Sequence, residues 1–484
     1  MSLFSVVNPV TIRSALNAVY SSLRRSLCAV GAVLILAGPA YAEQTAATSD
    51  DIVALQAEDV RQLAMQAVQS GDFGRAILLA RGLLRHDPED PVAYFVLAIA
   101  HGERGDITLS RKAAGYAFRY AETPDDRFRA GQIAAQSAFY EERYSLAQIW
   151  LRRTAIHADT EAQKAIVAKD YKALRRLNPW SLRIDAAVRP SSNVNNGSED
   201  ALQIIDGVPV TGRLSGAAQA LSGLIATLDV RTRYRLHTNA NSATHIGLRG
   251  YTRHVALSSS AQAKAPTVRN SDLSQQFFET SLGHRRKVNA GVLGGTVAIG
   301  QSWYGNNPTY RFARATADRV WETDTGIWYG VSGSLEERNS DQGMRFDATA
   351  YGLNIFSGKQ FSNGDELQLI LGFRNTDAWF INDRSQAASL RAAYSFGEMM
   401  GPVKLDLALT LGYSDYPNYQ SGFIIVPGGR QDKSVYADVN LMFEDWDYAG
   451  FAPSLRIRAG RTSSNDSRFQ TRELSIGLGI QSKF

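Results

Sequence analysis

The chain reads as an all-α repeat domain followed by an all-β domain, a 14-stranded antiparallel transmembrane β-barrel. Three observations predict it: long alternating strands from residue 181 onward, connections whose lengths alternate short and long, and a helical motif recurring every 34 to 37 residues upstream.

The strand from 224 to 236 states the pattern most clearly. Leu224, Ala226, Leu228, Val230, Thr232, Tyr234 and Leu236 share one face, and Thr227, Asp229, Arg231, Arg233 and Arg235 share the other. Successive strand side chains point to opposite sides, so this is apolar-out, charged-in alternation. It outruns the soluble strand of roughly 5–6 residues and suits a barrel strand of about 9–11. A two-layer soluble β protein is the alternative, but it gives loop lengths no reason to segregate.

In chain order, Arg24-Arg25 precedes an apolar run, Leu27 to Ala37, and Ala40-Tyr41-Ala42 follows at cleavage spacing. Residues 1–42 are thus expected to be a secretory signal peptide. The run is too short for a spanning helix of about 20 residues. The net charge is +5, and removing Arg13, Arg24 and Arg25 leaves +2, too little to suggest a nucleic-acid partner. Cys28, the one cysteine, lies inside that segment, so the mature chain has no disulfide and no thiolate metal site.

Residues 43–178 are expected to form a periplasmic helical repeat domain. After a small, polar leader, Gly71-Asp72-Phe73 is echoed by Gly105-Asp106-Ile107 and, more loosely, by Glu142-Arg143-Tyr144. A 34-residue helix–turn–helix period is that of tetratricopeptide repeats. Asp87-Pro88 and Thr123-Pro124 are read as unit ends, and Asn178-Pro179 as the stop of the last helix. Charge is balanced here, 18 Lys+Arg against 19 Asp+Glu. The expected role is to dock cargo or a periplasmic chaperone; the bland alternative is a collar that steadies the barrel.

Residues 179–484 are expected to form the barrel. Strands are placed at 182–189, 222–237, 243–256, 273–285, 289–303, 310–321, 326–337, 345–358, 365–375, 387–397, 402–414, 433–444, 450–462 and 469–484. Their number is even, as bacterial single-chain barrels require. If the first strand starts in the periplasm, even connections should be short turns, and they are; 190–221, 256–272, 376–386 and 414–432 are longer external ones. Trp303, Tyr304, Trp321, Trp328, Trp379, Phe380, Tyr413, Tyr416 and Trp446 suit interfacial girdles. The closing strand, with Gly479, Ile480 and the terminal Phe484, resembles the signal read by the barrel-assembly machinery.

No catalytic or phosphate-binding motif occurs, and neither a metal site nor a cofactor is expected; a Ser/His pair hidden among His237, His245, His254 and His284 is not excluded by spacing, because triads are defined by geometry. The inward set is more informative. Arg183, Arg189, Arg231, Arg233, Arg235, Arg249, Arg253, Arg456 and Arg458 fall on the lumen face, with Asp185, Asp229, Glu279, Asp406 and Asp438. They are read either as a basic wall along which an acidic or extended polypeptide passes, or as an ion-pair ladder that stiffens the barrel. Asn193, Asn195 and Asn196 are expected to shape a compact first loop that folds into the lumen and gates it.

Helical repeats, Trp180 opening the first strand, and Asn193-Val194-Asn195-Asn196 after it resemble the surface lipoprotein assembly modulator (Slam) family. The resemblance implies an outer-membrane translocon of a Gram-negative bacterium that brings a lipoprotein or small secreted protein to the cell surface. An exopolysaccharide export porin and a passive porin remain the other readings.

Overall fold

The computed structural model describes residues 56–482, apart from 207, 447, 449 and 450. The expected signal peptide and Phe484 lie outside the described residues. Two compact units meet between Asn178 and Pro179.

The first unit is helical: α1 (Ala57–Ser70), α2 (Phe73–His86), α3 (Pro91–Glu103), α4 (Ile107–Tyr120), α5 (Pro124–Tyr140), α6 (Tyr144–Ala155) and α7 (Glu161–Leu177). Left-handed residues close the α1–α2, α3–α4 and α5–α6 hairpins at matching positions: Gly71 (φ 82°), Gly105 (φ 82°) and Glu142 (φ 57°). Glycine adopts this conformation freely, and glutamate does so at a cost. That is why the third copy looks loose in sequence.

The helix starts are marked by side-chain caps. The Asp72, Asp90 and Thr123 side chains accept from the backbone N–H groups of Arg75, Ala93 and Asp126, and Thr160 forms a capping box with Gln163. Thr123-Pro124 therefore opens α5, with Pro124 in the first turn, instead of closing the unit before it. The core is alanine-rich. Ala64, Ala76, Ala93, Ala114, Ala134 and Ala147 are fully buried, so helices approach closely around Val96, Leu151 and Leu174.

The second unit is a closed antiparallel barrel of 14 strands. In chain order they are β1 (Trp180–Ser191), β4 (Gly223–Thr238), β5 (Ser242–Leu257), β6 (Gln275–Val288), β7 (Gly291–Tyr304), β8 (Asn307–Glu322), β9 (Ile327–Ser340), β10 (Ala348–Gln360), β11 (Glu366–Ala378), β12 (Ser385–Ser395), β13 (Lys404–Tyr416), β16 (Arg430–Met442), β17 (Phe451–Ser464) and β18 (Thr471–Ser482). The intervening labels belong to loop hairpins, β2 (Leu202–Ile205) with β3 (Val208–Arg213) and β14 (Gln420–Ser421) with β15 (Ile424–Ile425). A short helix, α8 (Ser259–Lys264), sits in the β5–β6 connection. Each neighbour in the barrel is the next strand in sequence, and β1 closes against both β4 and β18.

The faces separate as the alternation requires. Leu182, Ile299 and Leu478 are 65%, 61% and 69% exposed on the outer wall, while their sequence neighbours turn inward. A continuous exterior of Leu, Ile, Val and Phe closed on itself satisfies every backbone group without an edge, which is what a bilayer demands.

Connections at the β4–β5 end are short, and those at the other end include 192–222, 258–274 and 417–429. The segregation is not strict: 396–403 at the short end outruns 341–347, 379–384 and 465–470 at the other, where β7 and β8 are joined by Gly305 (φ 60°) and Asn306 (φ 66°) alone, a tight primed turn.

Candidate functional site

Strand register brings the charged residues into rows on the inner wall. Arg183 lies opposite Arg231, Arg231 opposite Arg249, and Arg249 opposite Glu279; Asp185 lies opposite Asp229. Like charges directly across a ladder repel. The side chains resolve this along and across the strands: Asp229 takes Arg231 of its own strand at 2.7 Å and Arg249 at 2.8 Å, and Asp185 takes Arg183 of its own strand at 2.9 Å and Arg456 at 3.8 Å.

The pairing continues around the wall. Arg314 of β8 holds Glu279 of β6 and, at 3.1 Å, Glu336 of β9. Glu336 is buried beneath Arg314, Arg338 (2.7 Å) and Arg374 (3.3 Å). Arg391 of β12 and Arg458 of β17 share Asp438 of β16 at 3.4 and 3.2 Å. Arg458 and Arg189 share Glu473 of β18 at 3.6 and 3.2 Å, which returns the network to β1.

Four of these bridges step over a strand, Arg456–Asp185 crossing β18, where Gly477 lies opposite Arg456. Arg314–Glu279 crosses β7 where the inward residues are Ala298 and Gly300. Arg374–Glu336 crosses β10 at Ala350 and Gly352, and Arg391–Asp438 crosses β13 at Ala408 and Thr410. Small side chains on the crossed strand leave the guanidinium room to lie along the wall.

The predicted lumen residues thus fall on one face but not into one chemistry. Arg183, Arg189, Arg231, Arg249, Arg456 and Arg458 pair with carboxylates. Arg233, opposite Ser181 and Gly247, and Arg235, opposite His245, lie nearer the short-turn end. Glu279, Asp406 and Asp438 are inward as expected, Asp406 accepting from Asn440 at 2.9 Å. The sequence reading passed over Arg314, Glu336, Arg338, Arg374, Arg391 and Glu473. The same parity applied to the strands at 310–321 and 326–337 would have found Arg314 and Glu336; Arg338 lies just past the expected end of its strand, which runs to Ser340. Trp328 and Tyr416, assigned to girdles, also turn inward: Trp328 packs on Phe356, and Tyr416 lies beneath Arg430.

Arg253 is different. Its guanidinium meets no carboxylate within ion-pair distance among the described residues; it donates to the carbonyl oxygens of Val194 (2.6 Å) and Leu273 (3.0 Å). Val194 belongs to the first loop and is buried with Leu221, inward-facing Ile225 and Val255, and Leu273. The loop is thereby folded over the inner wall of β4 and β5.

The asparagines shape it. Asn193 accepts from the Gly197 N–H and donates to the Gly197 carbonyl, both at 2.8 Å. Asn195 donates to the Ala217 and Gln219 carbonyls and accepts from the Leu221 N–H. Asn196 takes the left-handed conformation, φ 53°. One short segment thus ties both ends of the loop together.

The far part of the loop joins other loops of the same rim. Ser198 Oγ donates to the Ser467 carbonyl at 2.7 Å, Gln203 Nε2 donates to Ser421 Oγ at 2.6 Å, and Ile205 is buried with Tyr419 and Val426. Beneath them Arg430 lies 3.7 Å from the ring centres of Tyr416 and Phe469 and 3.2 Å from Asp432. At the seam, Gly479 faces Ala187 and Ile480 points outward, 54% exposed.

No protein-family model matches this chain, and no curated protein matches it in sequence. Solved structures similar to it are barrels. A BenF-like porin from Pseudomonas fluorescens Pf-5 is 8% identical, with 62% of this chain and 99% of that one covered and a TM-score of 0.34. An anion-selective porin from Comamonas acidovorans is 8% identical over 63% and 99%, TM-score 0.33. A bacterial polysaccharide outer membrane secretin is 10% identical over 62% and 98%, TM-score 0.32. These likenesses concern the barrel fold alone. The second unit is an outer-membrane-type barrel, and what passes through it is argued from its own side chains.

Proposed function

We propose that this protein is an outer-membrane translocon that delivers a specific lipoprotein or small secreted protein to the cell surface. Its helical domain stands in the periplasm and docks the cargo or a chaperone that carries it. The observation that carries this reading is the first loop, clamped by Arg253 and by its own asparagines over the inner wall and knitted to two neighbouring loops. An always-open diffusion pore has no use for so elaborate a fastening; a path opened by a particular passenger does. The chain enters β1 at the short-turn end, and in bacterial barrels that end faces the periplasm, which supports a periplasmic role for the helical domain. The drive in this reading comes from cargo folding outside the cell or from its binding to surface partners.

The test is a deletion strain whose surface proteome is compared with the parent by protease shaving. Loss of one or a few surface proteins, restored by the intact gene but not by a version lacking residues 56–178, supports the reading. An unchanged surface proteome sinks it. A second reading is favoured by Arg233, which meets no carboxylate within ion-pair distance among the described residues: a passive porin for small anions. Planar-bilayer recording separates the two, since a constitutively open, anion-selective conductance abolished by Arg233→Glu is the signature of the porin.

A further inference from the structure

Within the helical unit, the first helices of successive hairpins, α1, α3 and α5, touch one another directly, whereas α4 and α6 do not approach as closely. The gap between α4 and α6 is a cavity of about 580 Å³, floored by Phe118 and Trp150. It is lined from α4, from α6 and, through Arg127, from the first turn of α5. A Cβ at Gly115 would make ordinary van der Waals contact with the Trp150 ring, at 3.5 Å.

The walls are cationic. Arg111, Lys112, Arg119, Arg127 and Arg153 all line the cavity, and no carboxylate does. Arg111 is neutralised by Glu141 at 2.7 Å. Among the described residues, no carboxylate lies within ion-pair distance of the other four; Arg127 spends one N–H on the Ala121 carbonyl. This clustering stands out in a region whose charges otherwise balance, 18 against 19 over residues 43–178. The positive potential is felt locally: burial, with help from Arg127 and Arg153, holds His157 below its ordinary pKa.

We propose that this groove binds an acidic, extended peptide segment. This deepens the translocon reading, in that the segment would belong to the cargo or its carrier. Guanidinium groups grip carboxylates in bidentate fashion, with geometry as well as charge. Lys112 and Arg119 stand two turns apart on α4, about 10 Å, a spacing bracketed by carboxylates two and four residues apart on one face of an extended chain, roughly 7 and 13 Å. A glycan would need a bare aromatic platform. Here Arg153 lies over Phe118 (4.6 Å) and Trp150 (4.4 Å), so a cation covers the deep rings and only the rim ring, Tyr116, which stacks with Tyr94, is exposed.

The experiment uses the full-length protein in detergent and a fluorescein-labelled ten-residue peptide of glutamate and glycine, read by anisotropy. The acidic peptide binds, and the matching lysine peptide does not. The double substitution Lys112→Glu with Arg119→Glu, at two exposed positions, weakens binding at least tenfold with the helical circular dichroism unchanged. Arg119→Gln alone weakens it about threefold, and raising salt from 50 to 300 mM weakens it further. Wild-type affinity in the double variant, or no binding by the parent, overturns the proposal. So does polygalacturonate displacing the peptide with equal or higher affinity, which would make this an anionic-glycan site. The surface-shaving assay stands apart: a double variant that loses the peptide yet still displays its cargo keeps the groove and removes the docking role.

Discussion

Arg253 of the barrel wall donates from Nη2 to the carbonyl oxygen of Val194, 2.6 Å away, and this contact joins the first loop to the lumen. A guanidinium that finds carbonyls instead of a carboxylate keeps its charge while ordering the chain that surrounds it. A hydrogen bond from a charged donor contributes about 1.5–3 kcal/mol, and Arg253 makes one to each of two loops.

Arg253→Ala is therefore expected to release the loop without unfolding the barrel. Single-channel recordings should show longer and larger openings, and cells should become several-fold more sensitive to a bulky antibiotic that the outer membrane excludes. Deletion of residues 195–215 should have the same effect, more strongly. Permeability identical to wild type in both variants would mean that the loop lies clear of the path.

Glu336 is the most heavily loaded carboxylate of the wall, buried beneath Arg314, Arg338 and Arg374. Removing one partner of such a group leaves uncompensated charge, which costs about 3 kcal/mol when the site is dry and less where lumen water reaches the arginines. Glu336→Gln should lower the temperature at which the folded band disappears on unboiled gels, by several degrees. Glu337→Gln, one residue on and exposed, should leave it unchanged. Equal shifts in the two variants would deny Glu336 its central place.

The step-over bridges make a second prediction about stability. Gly352 lies beside Arg374 in the register, beneath the reach of that arginine to Glu336. Gly352→Leu fills this space and should destabilise the barrel by about 1–2 kcal/mol, the cost of overpacking with a displaced guanidinium. Gly333, on the outer face with nothing within 4 Å of an added Cβ, provides the control, and Gly333→Leu should be near neutral. The comparison is made by guanidinium unfolding followed by tryptophan fluorescence, and a larger loss at Gly333 would refute the argument.

How far the fold was legible follows from the range of the forces involved. The barrel was legible because lipid imposes period-two alternation on every strand, and Leu224 to Leu236 display it without interruption. The β2–β3 and β14–β15 hairpins were not, since they pack on other loops, and Ile205 finds Tyr419 and Val426 only after the barrel closes. The two-residue turn at Gly305-Asn306 was overlooked because the strands around it were drawn short. In the helical part, Glu142 made the third turn only a loose match by doing a glycine's work at φ 57°. Among the lumen residues, inward parity was readable but partners were not. The Arg314–Glu279 pair joins strands that are not neighbours, and no local pattern announces it.

The helical unit carries its own pH dependence. Asp170 on α7 is half-buried, and burial raises its pKa from 3.8 to about 6, with Lys169 opposing weakly. A carboxyl whose folded value exceeds its unfolded value favours the folded state while protonated. Its contribution is complete below about pH 4 and is lost as pH rises through 6. At pH 7.5 the ionised group therefore weighs against folding, by about 1 kcal/mol once its partial exposure is allowed for. Asp170→Asn should stabilise the helical unit at pH 7.5 and change little at pH 4.5, measured by thermal loss of the 222 nm signal, to which the barrel contributes little. If the aspartate and asparagine proteins melt with a constant offset across that range, the carboxyl is already ionised at both ends, and burial is not raising its pKa.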